Sequence, residues 1–425
     1  MSGTIKTNNK LCTGCNRCVR ECPMDMANIT YQNDVGDIKV MIDSEKCISC
    51  GRCMSACKHN ARYYLDDTER FFEDLKNGEK ISLIVAPSVR ANVPAWQRLF
   101  TYLKQQGVQK IYDVSLGADI CIWAHIKYLE ENPEAHLISQ PCPVIVSYME
   151  IYQPELLKFL SPIHSPMACT SIYMKEYEDI SGSIAALSPC IAKADEFRET
   201  NLCRYNVTFA GIREYISRNR IVLPTEESGF DHSESAFGVL FPIPGGLKEN
   251  IDYLMDKKVS IDKAEGDSVF SSLNIYSETP EEILPQVFDV LNCDFGCNSG
   301  TACSYEHNVF EVNRTMEGIR KKKREEFDWS RYEEIYKQYN ARFDINKFTR
   351  NYIPRMLTFP YVSDQDIDNA FKLMGKNDFN AQNIDCGACG NETCYNMARK
   401  IAMKVNIPIN CIVKSIQDAK VLNRE

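Results

Sequence analysis

Short apolar runs alternating with helical stretches set the pattern of the middle of the chain. Ile81-Ser82-Leu83-Ile84-Val85 is a β-rich run closed by Ala86-Pro87, and Trp96 to Gln106 then has helical spacing until Gly107 stops it. Ile111 to Val114, Leu137 to Ser139, Ile184 to Leu187 and Val207 to Phe209 repeat the apolar run between helical stretches. That alternation predicts parallel βαβ units covered by helices, an α/β fold. Two runs lead straight into cysteines: Leu137-Ile138 precedes Ser139-Gln140-Pro141-Cys142-Pro143, and Ile184 to Leu187 precedes Ser188-Pro189-Cys190. Ligands collect beyond the carboxyl ends of strands in open α/β sheets, so both thiols are expected to face one crevice. From about Met316 to Asn346 the sequence is charged and helical, with Tyr332, Ile335, Tyr336 and Tyr339 in an i, i+3, i+4, i+7 stripe expected to pack into core. Residues 347–385 read as a connector with short helices.

A length of 425 residues predicts two to four domains. The net charge of −9 argues against nucleic acid as a partner, because backbone phosphates demand a basic face. The one basic run, Arg320 to Arg324, is followed at once by Glu325 and Glu326 and reads as a solvated helix face. No stretch approaches the roughly 18 apolar residues that cross a bilayer, and Met1 to Lys10 lacks the apolar core of a secretory signal. A cytoplasmic protein without a membrane partner is therefore expected, and in that setting twenty cysteines point to metal ligation rather than disulfides.

The cysteines fall into three zones: eight at tight spacing up to about residue 68, eight scattered between 80 and 310, and four between 386 and 411. The expected domains are residues 1–70, 80–350 and 351–425. In the first, Cys12-x2-Cys15-x2-Cys18-x3-Cys22-Pro23 and Cys47-x2-Cys50-x2-Cys53-x3-Cys57 are two copies of one pattern. Three thiolates of a copy wrap one cubane through a tight loop while the fourth points to the other cluster. That gives one 4Fe-4S cluster on Cys12, Cys15, Cys18 and Cys57 and a second on Cys47, Cys50, Cys53 and Cys22. Zinc ribbons also use paired Cys-x2-Cys, but they take four ligands as two pairs, whereas this doubled order of eight suits two cubanes. The segment resembles a bacterial two-cluster ferredoxin.

In the last zone Cys386-Gly387-Ala388-Cys389-Gly390 is followed by Cys394 and, after 16 residues, by Cys411. The glycines let backbone amides approach sulphide, and Tyr395 to Lys404 reads as a helix returning the chain for the fourth ligand of one 4Fe-4S cluster. Zinc or a free dithiol is the alternative. The segment resembles the small iron-sulphur domain of corrinoid iron-sulphur proteins and of the Rnf electron-transport complex.

Cys142, Cys190 and the pair Cys293-Asp294-Phe295-Gly296-Cys297 could hold a fourth cluster at a cleft, with plain burial as the alternative. Ala86-Pro87-Ser88-Val89-Arg90, Gly117-Ala118-Asp119, Pro141-Cys142-Pro143, Pro189-Cys190 with Lys193 and Glu196, Gly245-Gly246 and the Cys293/Cys297 pair resemble, in this order, the catalytic domain of FeFe hydrogenases. The resemblance implies a two-lobed domain with parallel sheets, between a ferredoxin-like α+β module and a small, mainly helical C-terminal module. It implies that Cys142, Cys190, Cys293 and Cys297 hold the cubane of an H-cluster, with Cys297 bridging to a diiron unit bearing CO and CN. Lys193 would donate a hydrogen bond to a cyanide, and a buried anionic cluster face needs such a donor. Lys193, Glu196 and Cys297 are the expected catalytic residues.

Members that turn over quickly carry a second, proton-passing cysteine where this chain has Pro141, and their relay glutamates fall near His125 and Tyr128. These changes, with the C-terminal module, resemble the sensory branch of the family. The expectation is slow binding and splitting of dihydrogen in a sensing role, with a ferredoxin or signalling protein as redox partner and a homodimer as the assembly. In that branch the chain often continues into a PAS domain; with Glu425 as the last residue, a signal is expected to leave through a separate protein or the clusters. A catalytic ferredoxin-linked hydrogenase and an iron-sulphur scaffold without the diiron unit are the rival functions. Cys121, Cys169, Cys203 and Cys303 are expected to be inert buried thiols, Cys121 and Cys169 being candidates for substitute proton carriers, and His125 a satisfied core histidine.

Overall fold

The computed structural model describes residues 3–232, 238–255, 259–303, 308–326 and 328–422. They form two compact units: one runs to Leu65 and resumes at Met356, and the other is Asp66–Arg355. In the first, strands β1 (Ile5–Thr7), β2 (Asn28–Gln32), β3 (Ile38–Ile42) and β4 (Arg62–Tyr64) make two antiparallel pairs, β1 with β4 and β2 with β3. The cysteine runs lie around two short helices, Arg17–Arg20 and Arg52–Ala56. Left-handed residues flank the second cysteine of each run: Gly14 and Asn16 around Cys15, Ser49 and Gly51 around Cys50. Both runs therefore curl alike, and such turns direct successive backbone N–H groups to one side, as anion sites need.

The remainder of this unit is helical. Ser363 caps the helix Asp364–Leu373 through a reciprocal bond with Asp366, and its Ile367 and Phe371 pack with Met397 and Ile401 of the helix Cys394–Ala402. Cys389, Cys394 and Cys411 belong to the same apolar cluster. A main-chain bond from Thr30 N–H to the Val405 carbonyl, at 2.9 Å, ties these helices to β2. The first and last cysteine zones thus fold together.

In the second unit β5 (Ile81–Val85), β6 (Ile111–Asp113), β7 (Leu137–Ile138), β8 (Ser183–Ser188), β9 (Tyr205–Thr208), β10 (Ile261–Glu265) and β11 (Val287–Leu291) make two all-parallel sheets, ordered β6-β5-β8-β9 and β10-β11-β7. In register, Val85 lies beside Asp113 and Leu187, and Ile138 beside Phe288. Every residue of the central strands β5 and β11 is buried, as a sheet covered on both faces requires. The apolar runs of the sequence thus lie on β5 to β9, while β10 and β11 were not anticipated. Asp289 interrupts the apolar run of β11; it is buried there because Ser139 Oγ (3.1 Å) and Lys248 N–H (3.2 Å) donate to its carboxylate.

Tyr336 and Tyr339 pack against the core and Ile335 is half-buried, while the Tyr332 side chain lies outside the described residues. Lys321 and Lys322 sit exposed on the helix Val309–Glu325, within 3.9 Å of Glu325 and 3.8 Å of Glu326 respectively. Among the described residues no helix is long and apolar enough to cross a membrane.

Candidate functional site

Three of the second unit's strands run out toward one pocket of about 790 Å³. Cys190 follows β8, Cys142 follows β7, and Cys293 follows β11. Phe295 and Gly296, both left-handed, then turn the chain so that Cys297 joins them. All four cysteines line the pocket together with Lys193 and Pro141, and much of the remaining wall is apolar. Such a place, beyond the carboxyl ends of parallel strands, is where α/β sheets gather ligands.

Burial raises all three thiols Cys190, Cys293 and Cys297, Cys190 to about 11, and the charges of the neighbouring cysteines raise them further. Four thiolates would repel one another there unless compensated, and bound metal cations supply that compensation while holding the thiols deprotonated. Among the described residues no three His, Cys, Asp or Glu side chains have the spacing to hold a single metal ion.

Lys193 begins the helix Lys193–Thr200, and Glu196 lies one turn on. Lys193 Nζ donates to Glu196 Oε2, to Ser165 Oγ at 3.1 Å and to the Pro141 carbonyl at 3.2 Å. Ser165 Oγ donates in turn to Glu196 Oε1. Burial pulls the Lys193 pKa down, but the Glu196 carboxylate and the charges of Cys190 and Cys297 outweigh it and raise the ammonium's pKa. Both side chains are buried, at 8% and 5% exposure. Breaking such a pair from one side leaves a bare buried charge, so Glu196→Gln is expected to destabilise the chain by about 3–5 kcal/mol. Adding Lys193→Met should recover much of that in chemical denaturation. A Glu196→Gln chain as stable as the parent would mean the pair carries no such weight.

The thiols that the cluster assignment leaves over are buried. His125 Nδ1 sits 2.8 Å from the Cys121 carbonyl oxygen and 3.6 Å from Cys121 Sγ, and His125 Nε2 sits 2.8 Å from Ser161 Oγ. Burial opposes ionisation of Cys121, but the nearby His125 and Lys193 charges favour it and help pull its pKa down. Cys169 Sγ donates to the His164 carbonyl at 3.3 Å, Cys203 Sγ lies 3.1 Å from Ser171 Oγ, and Cys303 Sγ donates to the Cys297 carbonyl at 3.8 Å.

In the other unit Cys386, Cys389, Cys394 and Cys411 line a smaller pocket of about 300 Å³. Burial and the Cys22 and Cys47 charges raise Cys50 to about 12, Cys53 also feels Cys22, and Cys22 itself feels Cys18. Cys18 instead feels Cys12 and Cys15. Sequence reasoning missed the cations beside these thiols. Arg62 is buried, and its Nη2 donates to Cys18 Sγ at 3.2 Å and to Asn28 Oδ1 at 2.8 Å. Lys376, also buried, donates from Nζ to the Ala381 carbonyl at 2.6 Å; burial raises the Cys394 pKa, and the Lys376 charge limits that rise. Nothing local in the sequence distinguishes either from a surface cation.

Two domain families match the chain: the iron-only hydrogenase large subunit, C-terminal domain, over residues 79–282, and a 4Fe-4S dicluster domain over residues 11–61. The first match includes Cys142, Cys190 and Lys193 and stops short of Cys293 and Cys297. Iron hydrogenase 1 of Clostridium pasteurianum is 29% identical over 35% of this chain and 35% of its own length. NADP-reducing hydrogenase subunit HndD of Solidesulfovibrio fructosivorans is 23% identical over 35% of this chain and 30% of its own. The chain spans about a third of the length of these curated relatives. Two solved FeFe-hydrogenase structures, concerned with oxygen inactivation through the 2Fe subcluster and with stepwise H-cluster assembly, superpose with a TM-score of 0.50. They are 14% and 13% identical, each covering 69% of this chain and 100% of its own, a likeness of fold.

Proposed function

We propose that this chain, whose residues 79–282 match the iron-only hydrogenase large subunit, C-terminal domain, behind a 4Fe-4S dicluster match over residues 11–61, is an iron-sulphur redox protein that binds and splits dihydrogen slowly and serves as a hydrogen or redox sensor. The observation that carries this reading is the convergence of Cys142, Cys190, Cys293 and Cys297, with Lys193, on one pocket. The four cysteines would hold an H-cluster cubane, with Cys297 bridging to the diiron unit. Bound there, the group would supply the iron at which dihydrogen is split.

The chain's own residues support slow rather than fast chemistry. Glu196 and Ser165 hold the Lys193 ammonium at the pocket wall, ready to donate to an anionic iron ligand. Pro141 lines the same pocket and its side chain has no proton to give. Apolar neighbours such as Val114, Met167, Phe241 and Leu291 keep water away. In the terminal unit the N-terminal thiols would hold two 4Fe-4S clusters and Cys386, Cys389, Cys394 and Cys411 a third, carrying electrons to a ferredoxin or signalling protein. Arg62 and Lys376 offset the negative charge of those sites.

A catalytic role is the second reading, favoured by the buried contacts that join Cys121, His125 and Ser161 into a polar chain. Fast hydrogen evolution by the unaltered chain in a viologen assay would decide for it. The reading itself is tested by infrared spectroscopy and iron analysis of matured protein. CO and CN stretches are expected, with iron near about 18 per chain. Iron confined to the terminal unit, with no such bands, would remove the hydrogen chemistry.

A further inference from the structure

The cavity lined by Cys386, Cys389, Cys394 and Cys411 is built directly against the first cysteine loop of the chain. Gly390, next to Cys389, has φ +82°, and a Cβ there would stand 2.7 Å from the Asn16 carbonyl oxygen and 3.2 Å from Val19 Cβ. Asn16 follows Cys15, so two cysteine loops touch backbone to backbone one residue from a thiol on each side. Asn16 Nδ2 donates to Asn410 Oδ1 at 2.6 Å, and Asn410, which precedes Cys411, donates from Nδ2 to the Cys389 carbonyl at 3.4 Å. Both asparagines are buried. Around this seam Arg20 Nη2 donates to the Gly387 carbonyl at 2.9 Å, and Asp25 pairs with Arg399 at 2.7 Å and Lys400 at 3.5 Å. A close approach that only glycine permits, a buried amide pair and a surrounding ring of polar contacts together fix the distance between two thiol sets.

We infer that the cluster on Cys386, Cys389, Cys394 and Cys411 exchanges electrons directly with the cluster on Cys12, Cys15, Cys18 and Cys57 across the Asn16–Asn410–Gly390 seam. This rests on the reading that both thiol sets carry 4Fe-4S clusters. In the exchange one electron, introduced by an external one-electron donor such as dithionite or a reduced ferredoxin, leaves one cluster oxidised and the other reduced. No bond is made or broken and no proton moves. The C-terminal cysteines are then a station of one relay within the terminal unit. Asn16, Asn410 and Gly390 are positioning residues, since none of them is a ligand.

The test is electron paramagnetic resonance of the full chain, reduced by dithionite, beside its iron content. The unaltered protein is expected to show signals of the C-terminal cluster split or broadened by spin coupling to its neighbour. Gly390→Leu, which forces the loops apart, should keep its iron and lose that splitting. An uncoupled C-terminal signal in the unaltered protein at full iron content would overturn the inference, and this measurement stands even where Gly390→Leu fails to fold. Iron missing from the C-terminal site of the unaltered protein would instead overturn the ligand assignment, and the inference with it.

Discussion

Cys297→Ala is expected to strip the second unit of its entire iron complement while leaving the terminal unit loaded. Cys297 sits behind a left-handed Phe295-Gly296 turn, and its N–H donates to the Pro242 carbonyl at 2.9 Å, so its backbone position is fixed without metal. The substitution therefore removes a ligand rather than a structural element. If the four pocket thiols act together, iron should fall by about six per chain, the CO and CN bands should vanish and hydrogen-dependent activity should drop to background. The other twelve proposed ligands belong to the other unit and keep their own thiol sets. Cys303→Ala is the control, because Cys303 only donates toward the Cys297 carbonyl. Unchanged iron and infrared bands in Cys297→Ala would show that the cluster, if present, is held otherwise.

Pro141→Cys is expected to raise hydrogen turnover by roughly 10²-fold or more, the usual range for a positioned acid-base group being about 10²–10⁴. Pro141 lines the pocket beside Cys142, and the contact it makes to Lys193 is through its carbonyl oxygen, which any residue retains. The substitution thus keeps the Lys193 anchor and replaces ring carbons by a thiol able to give and take a proton. Viologen-linked hydrogen evolution measures the gain, and equal infrared band intensity in parent and variant separates it from better loading. A turnover unchanged at equal loading would place the rate limit elsewhere, for instance in electron supply.

What the sequence made legible, and what it did not, follows the range of the interactions concerned. The two N-terminal cysteine runs stand out because their cysteines recur within a few residues, and β5 to β9 could be read because buried parallel strands are continuous apolar runs. β11 escaped because Asp289 breaks its run, and that aspartate is tolerated only through Ser139 and Lys248, from distant segments. β10 escaped because Asp262, Lys263 and Glu265 leave it only two apolar positions. Apart from the Cys293/Cys297 pair, the four pocket cysteines share no local spacing, so their meaning came from family resemblance, and the pocket gathers them through strand order. The buried cations Arg62 and Lys376, and the joining of the first and last cysteine zones by contacts 394 residues apart, depend wholly on tertiary proximity.

That joining also sets a timetable for biosynthesis. Some 290 residues, Asp66–Arg355, separate the two halves of the terminal unit. A ribosome adding about 5–20 residues per second takes roughly 15–60 s to make them. Through that interval the surface of Asn16 and Val19 that Gly390 will cover stays open to solvent, and Thr30 N–H waits for the Val405 carbonyl. The nascent N-terminal half thus passes that interval with the Cys15 loop less shielded than in the finished protein.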